Sequence, residues 1–338
     1  MTIASADRPA NAAAPDVSPS DAAPLITVAI CTRNRAGFLE KAVNSVLPQI
    51  TGDTEILIVE NASTDGTPEV AARLSAAHPR VRVCREDEVG LSAARNTALR
   101  EARGRYVLFL DDDAVAEPGW LTGYQRFFAA PPSDRIAVVG GAVFPDYEIP
   151  APKWFGAQIN QWNLGELARR VSARGGPWGC NCAYLRDVAL RAGMFDAHLG
   201  RKGESLGAHE ESDLNQRLQN AGYEIWWLPG AGIRHFIAAD RLNFRWVSRA
   251  IFSEGRSSTV MRLTSMNSRW RRALFRSGRS VVAPFHILVC LVAALVTLPL
   301  RRGQAAGYLL RAVRIAGITC EALWHRAPRA GRPCVPRQ

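Results

Sequence analysis

Apolar residues along this chain fall into short blocks, each followed by a polar turn and then by a segment in which apolar positions return every three or four residues. Residues 26–31 and 55–60 have the length and β-branched content of strands, and residues 37–47 and 68–77 carry helical spacing after them. Thr67 is expected to cap the second helix, with Pro68 at its first position. Residues 80–84, 91–103 and 105–110 continue the alternation of strand, helix and strand. That order predicts an α/β domain with a mostly parallel sheet flanked by helices. Further on, 118–129 reads as a helix, 136–144 and 181–185 as strands, 187–193 as a helical turn, 209–221 as a helix, and 223–228 and 233–236 as strands. Residues 145–179 break the rhythm, and Trp154, Phe155, Trp162 and Trp178 among Pro and Gly suggest loops lining a pocket.

One block ends abnormally. The run Tyr106, Val107, Leu108, Phe109, Leu110 passes directly into Asp111, Asp112 and Asp113. Ligands of open α/β sheets sit beyond the carboxyl ends of strands, and three adjacent carboxylates repel unless a cation that prefers oxygen ligands lies between them. A solvated acidic turn is the plain alternative. Two other strand ends are polar: Thr32 and Arg33 after the first, and Glu60 through Asp65 after the second, a place where a nucleoside would fit. Asp65, Gly66 and Thr67 are equally explained by turn chemistry. Gly90 opens a helix whose first turns carry Arg95, suited to a diphosphate or to a structural acid. A second acidic cluster, His209, Glu210, Glu211, Ser212 and Asp213, opens a later helix, where acids also favour the helix dipole.

Composition changes this picture at the ends. Residues 1–24, rich in Ala, Pro, Ser and Asp, read as a disordered leader and not as a signal peptide, so the catalytic part is expected in the cytosol. Seven cysteines without a C-x-x-C pair indicate neither a disulfide framework nor a zinc site. The net charge of +11 is confined to the C-terminal quarter: residues 1–240 hold 24 Lys and Arg against 29 Asp and Glu, whereas residues 241–338 hold 18 against 2. Beside that charge lies the uncharged run 281–300, about the length a helix needs to cross a bilayer. An anionic membrane surface explains this pairing better than a nucleic acid. Basic residues flank the run on both sides, so we expect it to dip into the inner leaflet or fold back, leaving both flanks cytoplasmic. After it, Leu309, Val313, Ala316, Cys320 and Leu323 recur at helical spacing, with Arg311, Arg314 and Glu321 expected on another face.

Taken in order, VAICTRNR, EILIVENASTDGT, GLSAARNTAL, GRYVLFLDDDA, ESDLNQRLQNAGY and a later His resemble the family 2 glycosyltransferases of bacteria across roughly residues 25–237. The resemblance implies a GT-A type, Rossmann-like domain at 25–240, a helical membrane-associating region at 241–338, and inverting transfer from a nucleotide-sugar donor to a saccharide or lipid-linked, cell-envelope acceptor. It implies that Glu60, where most relatives carry Asp, contacts the nucleobase. Asp111 and Asp113 would hold a divalent metal (Mn or Mg) and the donor diphosphate, with His235 completing the metal shell, and Asp112 joins the donor-binding set. Glu211 maps to the catalytic base, with Glu210 its competitor. The chemistry agrees: a cation offsets charge on the leaving oxygens, His235 favours Mn over Mg, and the attacking hydroxyl needs a carboxylate within reach. A sugar nucleotidyltransferase would want a Gly-rich phosphate loop that CTRNRAG lacks. A catalytically inactive GT-A regulatory domain is the other reading, because Asn61 and Glu211 depart from the commonest residues.

Overall fold

The computed structural model describes residues 25–155, 162–266, 268–299 and 301–324; the leader at 1–24 and the last basic residues at 325–338 lie outside these. In chain order the strands are β1 (Ile26–Thr32), β2 (Thr54–Glu60), β3 (Val81–Arg85), β4 (Tyr106–Leu110), β5 (Ala114–Ala116), β6 (Ile136–Tyr147), β7 (Arg169–Val171), β8 (Asn181–Leu185) and β9 (Glu224–Ile237). The domain's helices are α1 (Ala36–Val46), α2 (Thr67–Ala77), α3 (Leu91–Glu101), α4 (Trp120–Ala129), α5 (Arg186–Arg191) and α6 (Glu210–Asn220).

The sheet runs β3-β2-β1-β4-β8-β6-β9-β5, with β7 also paired to β9. Its first four strands are parallel, and β2 and β4 are buried along their whole length because helices cover both faces. Leu39 and Val43 of α1, Leu74 of α2 and Trp120 of α4 close one face. Ala94 and Ala98 of α3, Val188 of α5, and Leu214 and Leu218 of α6 close the other. From β4 onward the sheet is mixed: β8 is antiparallel to β4 and β6, β9 is parallel to β6, and β5 and β7 are antiparallel to β9.

Three local expectations change. The two strands at 223–228 and 233–236 are one, β9, which absorbs Pro229 and Gly230 as an irregularity in its register with β6. Helix α2 begins at Thr67 with Gly66 as its cap residue, because Asp65 accepts from both the amide and the hydroxyl of Thr67 and so takes the capping role. Beyond β9 come three long helices, α7 (Phe244–Ser265), α8 (Arg269–Thr297) and α9 (Arg302–Trp324). The apolar run, read from Val281, continues one helix that begins at Arg269 and passes through Pro284 to Thr297.

Helix α9 packs on both α7 and α8. Its buried side is Leu310, Gly317, Ile318, Glu321 and Ala322, so Glu321 faces inward, and Arg314 reaches Glu254 of α7. The sequence pattern placed these two charges on a face away from the apolar positions; Glu321 is turned in by Arg256 of α7, and Arg314 stays exposed while it pairs with Glu254. A small cluster of Phe155, Ile237, Leu242, Val247 and Leu310 joins α7 and α9 to the end of β9.

Candidate active site

Strand register assembles the site. The antiparallel pairing of β4 with β8 sets Leu110 opposite Asn181, so the next residue, Asp111, meets Cys180, whose carbonyl accepts from the Asp111 amide at 3.4 Å. On the other side β5 pairs with β9, Ala114 opposite His235, and the Phe236 amide donates to the Asp113 carbonyl at 2.8 Å. The imidazole thereby reaches the triplet: Nε2 lies 3.2 Å from Asp113 and 3.9 Å from Asp111. His235 Nδ1 is buried without a hydrogen-bond partner among the described residues.

The three aspartates live differently. Asp113 is buried among cations, with Arg35 at 3.0 Å and Arg241 at 3.5 Å. Burial opposes its charge, but His235, Arg35 and Arg241 outweigh it and hold the carboxyl well below the usual range. His235 is pulled the other way: burial disfavours its cation, and the Asp113 and Asp111 carboxylates raise its pKa all the same. Asp112 accepts from the Thr32 hydroxyl at 2.8 Å, yet burial and the neighbouring Asp113 push it up to about 7. Asp111 is 29% exposed and accepts from Arg95 at 3.1 Å.

Arg95, buried on α3, also donates to Glu210 at 2.8 Å. Its guanidinium packs against Gly179, where an added Cβ would lie 2.5 Å away. Arg95 thus spans from the acid triplet to the start of α6. Glu210 is committed to this pair, whereas no described residue's side chain is hydrogen-bonded or ion-paired to Glu211. Burial, and the charge of Glu210 beside it, raise Glu211 to about 7 against the pull of Arg95 and His209.

The remaining sequence candidates sit at the neighbouring strand ends. Glu60 is buried, accepts from the Ser63 amide at 2.6 Å, and lies 3.7 Å from Arg85. Asp65 is exposed and already serves Thr67. Arg33 keeps a buried Nε without a partner among the described residues. Asn61 is structural: its amide donates to the Glu86 and Glu88 carbonyls and its oxygen accepts from the Gly90 amide, which sets the entry to α3.

A divalent cation suits this ground. Ligand atoms of Asp111, Cys180 and His235 lie within 4.8 Å of one another, and Asp113 borders the same imidazole. Sequence reasoning did not single out Cys180 or Arg241, which carry no motif and arrive by strand pairing and loop closure, and it gave Arg35, at the end of VAICTRNR, no role of its own.

Residues 27–191 match the family described as glycosyl transferase family 2. A glucosyl-dolichyl phosphate glucuronosyltransferase of Haloferax volcanii is 28% identical over 247 residues, 70% of this chain and 77% of that protein. The succinoglycan biosynthesis protein ExoM of Rhizobium meliloti is 26% identical over 306 residues, 87% of this chain and 91% of that protein. Among solved structures, the mannosyltransferase PcManGT from Pyrobaculum calidifontis, in complex with GDP-Man and Mn2+, superposes with a TM-score of 0.59 at 18% identity, covering 91% of this chain and 90% of that one, a likeness of fold. With an acid triplet at the end of a central strand and an acidic helix start facing it across one arginine, the chain belongs to the family 2 glycosyltransferases.

Proposed function

We propose that this enzyme inverts the sugar it transfers, moving it from a nucleotide-sugar donor to a lipid-linked or cell-envelope acceptor on the cytoplasmic face of a membrane. The observation that carries the reading is the tie that Arg95 makes from the cluster of Asp111, Asp113 and His235 to Glu210, which brings the start of α6, with Glu211 next to Glu210, up to that cluster. Asp111, Asp113 and His235, with Cys180 alongside, would hold a divalent ion, which when bound supplies charge neutralisation at the leaving diphosphate. His235 and the thiol favour Mn over Mg in that role.

The chain's own groups do the rest. Glu211 takes the proton of the acceptor hydroxyl as its oxygen bonds to the sugar C1. The C1 to phosphate-oxygen bond breaks on the opposite face, and its electron pair leaves with the diphosphate. A single displacement of this kind inverts C1. Arg35 and Arg241, which sit on Asp113, are placed to receive diphosphate charge once a cation occupies the acids. Glu60, Thr32, Arg33 and Asp65 border the nucleoside end, and Asp112, held by Thr32, forms its floor.

The acceptor reading draws on the relatives, one named for a glucosyl-dolichyl phosphate and one for succinoglycan biosynthesis, and on α8. That helix has 29 residues, about 43 Å, against a hydrocarbon core of about 30 Å. Val281, Phe285, Leu295 and Val296 on its outer side are 65–77% exposed, while Ala283, Cys290 and Ala294 are buried. Arginines at 269, 271, 272, 276 and 279 precede the bare stretch, and Arg301 and Arg302 follow it. Basic residues at both ends of α8 would leave one flank on the far side in a simple crossing, which supports an α8 lodged in one leaflet. A panel of nucleotide sugars, each offered with Mn2+, with Mg2+ and with chelator, tests the donor and metal reading. One sugar nucleotide should be consumed only with metal, and full turnover in chelator would overturn it.

A further inference from the structure

Residues 241–338 contain two acids, Glu254 and Glu321, among eighteen basic residues. Both are used between helices. Glu321 on α9 pairs with Arg256 of α7 at 2.8 Å, a tie within the appendage. Glu254 does something different: Arg314 of α9 grips it with two hydrogen bonds, at 2.5 and 2.8 Å, and its Oε1 lies 2.8 Å from Nε2 of His209. His209 is the residue before α6, two positions from Glu211.

His209 has φ +71°, the left-handed region that a side chain other than glycine enters at a cost of about 1 kcal/mol or more. Something must hold it there. The Glu254 carboxylate does so, and a second tie comes from the Ala208 amide, which donates to Ser257 of α7 at 3.2 Å. The clamp is itself rigid. α7 and α9 meet at Gly255 and Gly317, where added Cβ atoms would lie 2.5 Å from the Arg314 carbonyl and 2.2 Å from the Phe252 carbonyl.

We propose that Glu254, locked by Arg314, is a positioning residue that fixes the start of α6, so that the C-terminal helices set where Glu211 stands. The catalytic helix is then anchored at two successive residues, His209 by the appendage and Glu210 by Arg95, with Glu211 next and, among the described residues, without a side-chain partner. This rests on the reading of Glu211 as the base. The appendage, besides meeting the membrane, is a working part of the active site.

The test compares Glu254→Ala, Glu254→Asp, Arg314→Met and Glu321→Gln in the full chain. Turnover is read with the sugar nucleotide that the panel selects, nucleotide binding with UDP and GDP in Mn2+, and local order by hydrogen exchange over residues 206–213. Glu254→Ala should lower kcat about 10- to 100-fold, the cost of a small misplacement of a reacting group, with KM and nucleotide affinity within about twofold and faster exchange at 206–213. Glu254→Asp should recover part of the rate, Arg314→Met should lose less than Glu254→Ala, and Glu321→Gln should match the parent. Parental kcat in Glu254→Ala, nucleotide affinity falling in step with rate, or an equal loss in Glu321→Gln would overturn the proposal. An active Glu211→Gln alongside a slow Glu254→Ala would instead refute the base assignment alone.

Discussion

A carboxylate that must take a proton cannot also serve a permanent cation, and Glu210 serves Arg95 at 2.8 Å. Glu211 has no such partner among the described residues and is raised to about 7 by burial and by Glu210, which suits a base working near neutral pH. Glu211→Gln should therefore keep nucleotide binding and lose about 10²- to 10⁴-fold in kcat, measured under saturating donor. The parent's kcat should fall tenfold per pH unit below about 7, because the base acts when deprotonated. The sign for stability is opposite. A carboxyl whose pKa is raised by folding binds its proton more tightly in the folded state, so stability is lost as pH rises from about 4.5 through about 7. Glu211→Gln should then melt about 2–4 °C higher than the parent at pH 8, the shift expected from a gain of about 1 kcal/mol. At the other end of the site, Asp113→Ala should abolish metal-dependent turnover and uncouple His235, Arg35 and Arg241 from their shared partner. Titration of bound Mn2+ checks this, and unchanged Mn2+ affinity would remove Asp113 from the metal set.

Between elements, small residues decide how closely helices approach. Gly317 sits against the Phe252 backbone, and an alanine there would place its Cβ 2.2 Å from the Phe252 carbonyl. Gly317→Ala should cost about 1–3 kcal/mol of appendage stability, since packed helices must separate to admit the methyl group. Limited proteolysis should show the cleavage moving into α7 and α9 while the catalytic domain persists. The sequence marked α9 by periodicity and set its apolar, interface-facing side on Leu309, Val313, Ala316, Cys320 and Leu323. The side packed on the neighbouring helices runs through Leu310, Gly317, Ile318 and Glu321. An apolar count favours large residues, whereas α7 selects the face on which glycines permit contact and Arg256 awaits a carboxylate.

For the molecule as a whole, the proposed membrane residence rests on the exposed apolar side of α8. Placing Asp at Phe285, Leu288 and Val292 together should move it from the membrane pellet to the soluble fraction, since each charge in the hydrocarbon costs about 2.5–3.5 kcal/mol. A C-terminal tag should be cut by protease in inside-out vesicles and protected in right-side-out ones. Cleavage only in right-side-out vesicles would establish a crossing, and recovery of the parent in the soluble fraction would mean that α8 packs on protein.

What the sequence determined by itself is local. The alternation of strands and helices, the acid triplet ending β4, the acids opening α6 and the basic C-terminal quarter follow from periodicity, capping preference and charge, which act over a few residues. Tertiary structure alone decided which of those groups meet. Cys180 joins Asp111 and His235 joins Asp113 through antiparallel register, and a one-residue slip in either ladder would turn those side chains to the opposite face. Arg95 packs against Gly179 on its way to Glu210, and Arg314 reaches Glu254 where two glycines let α7 and α9 close. Ion pairs between distant positions carry no periodic signature, since their geometry exists only once the packed faces have fixed the distance between them.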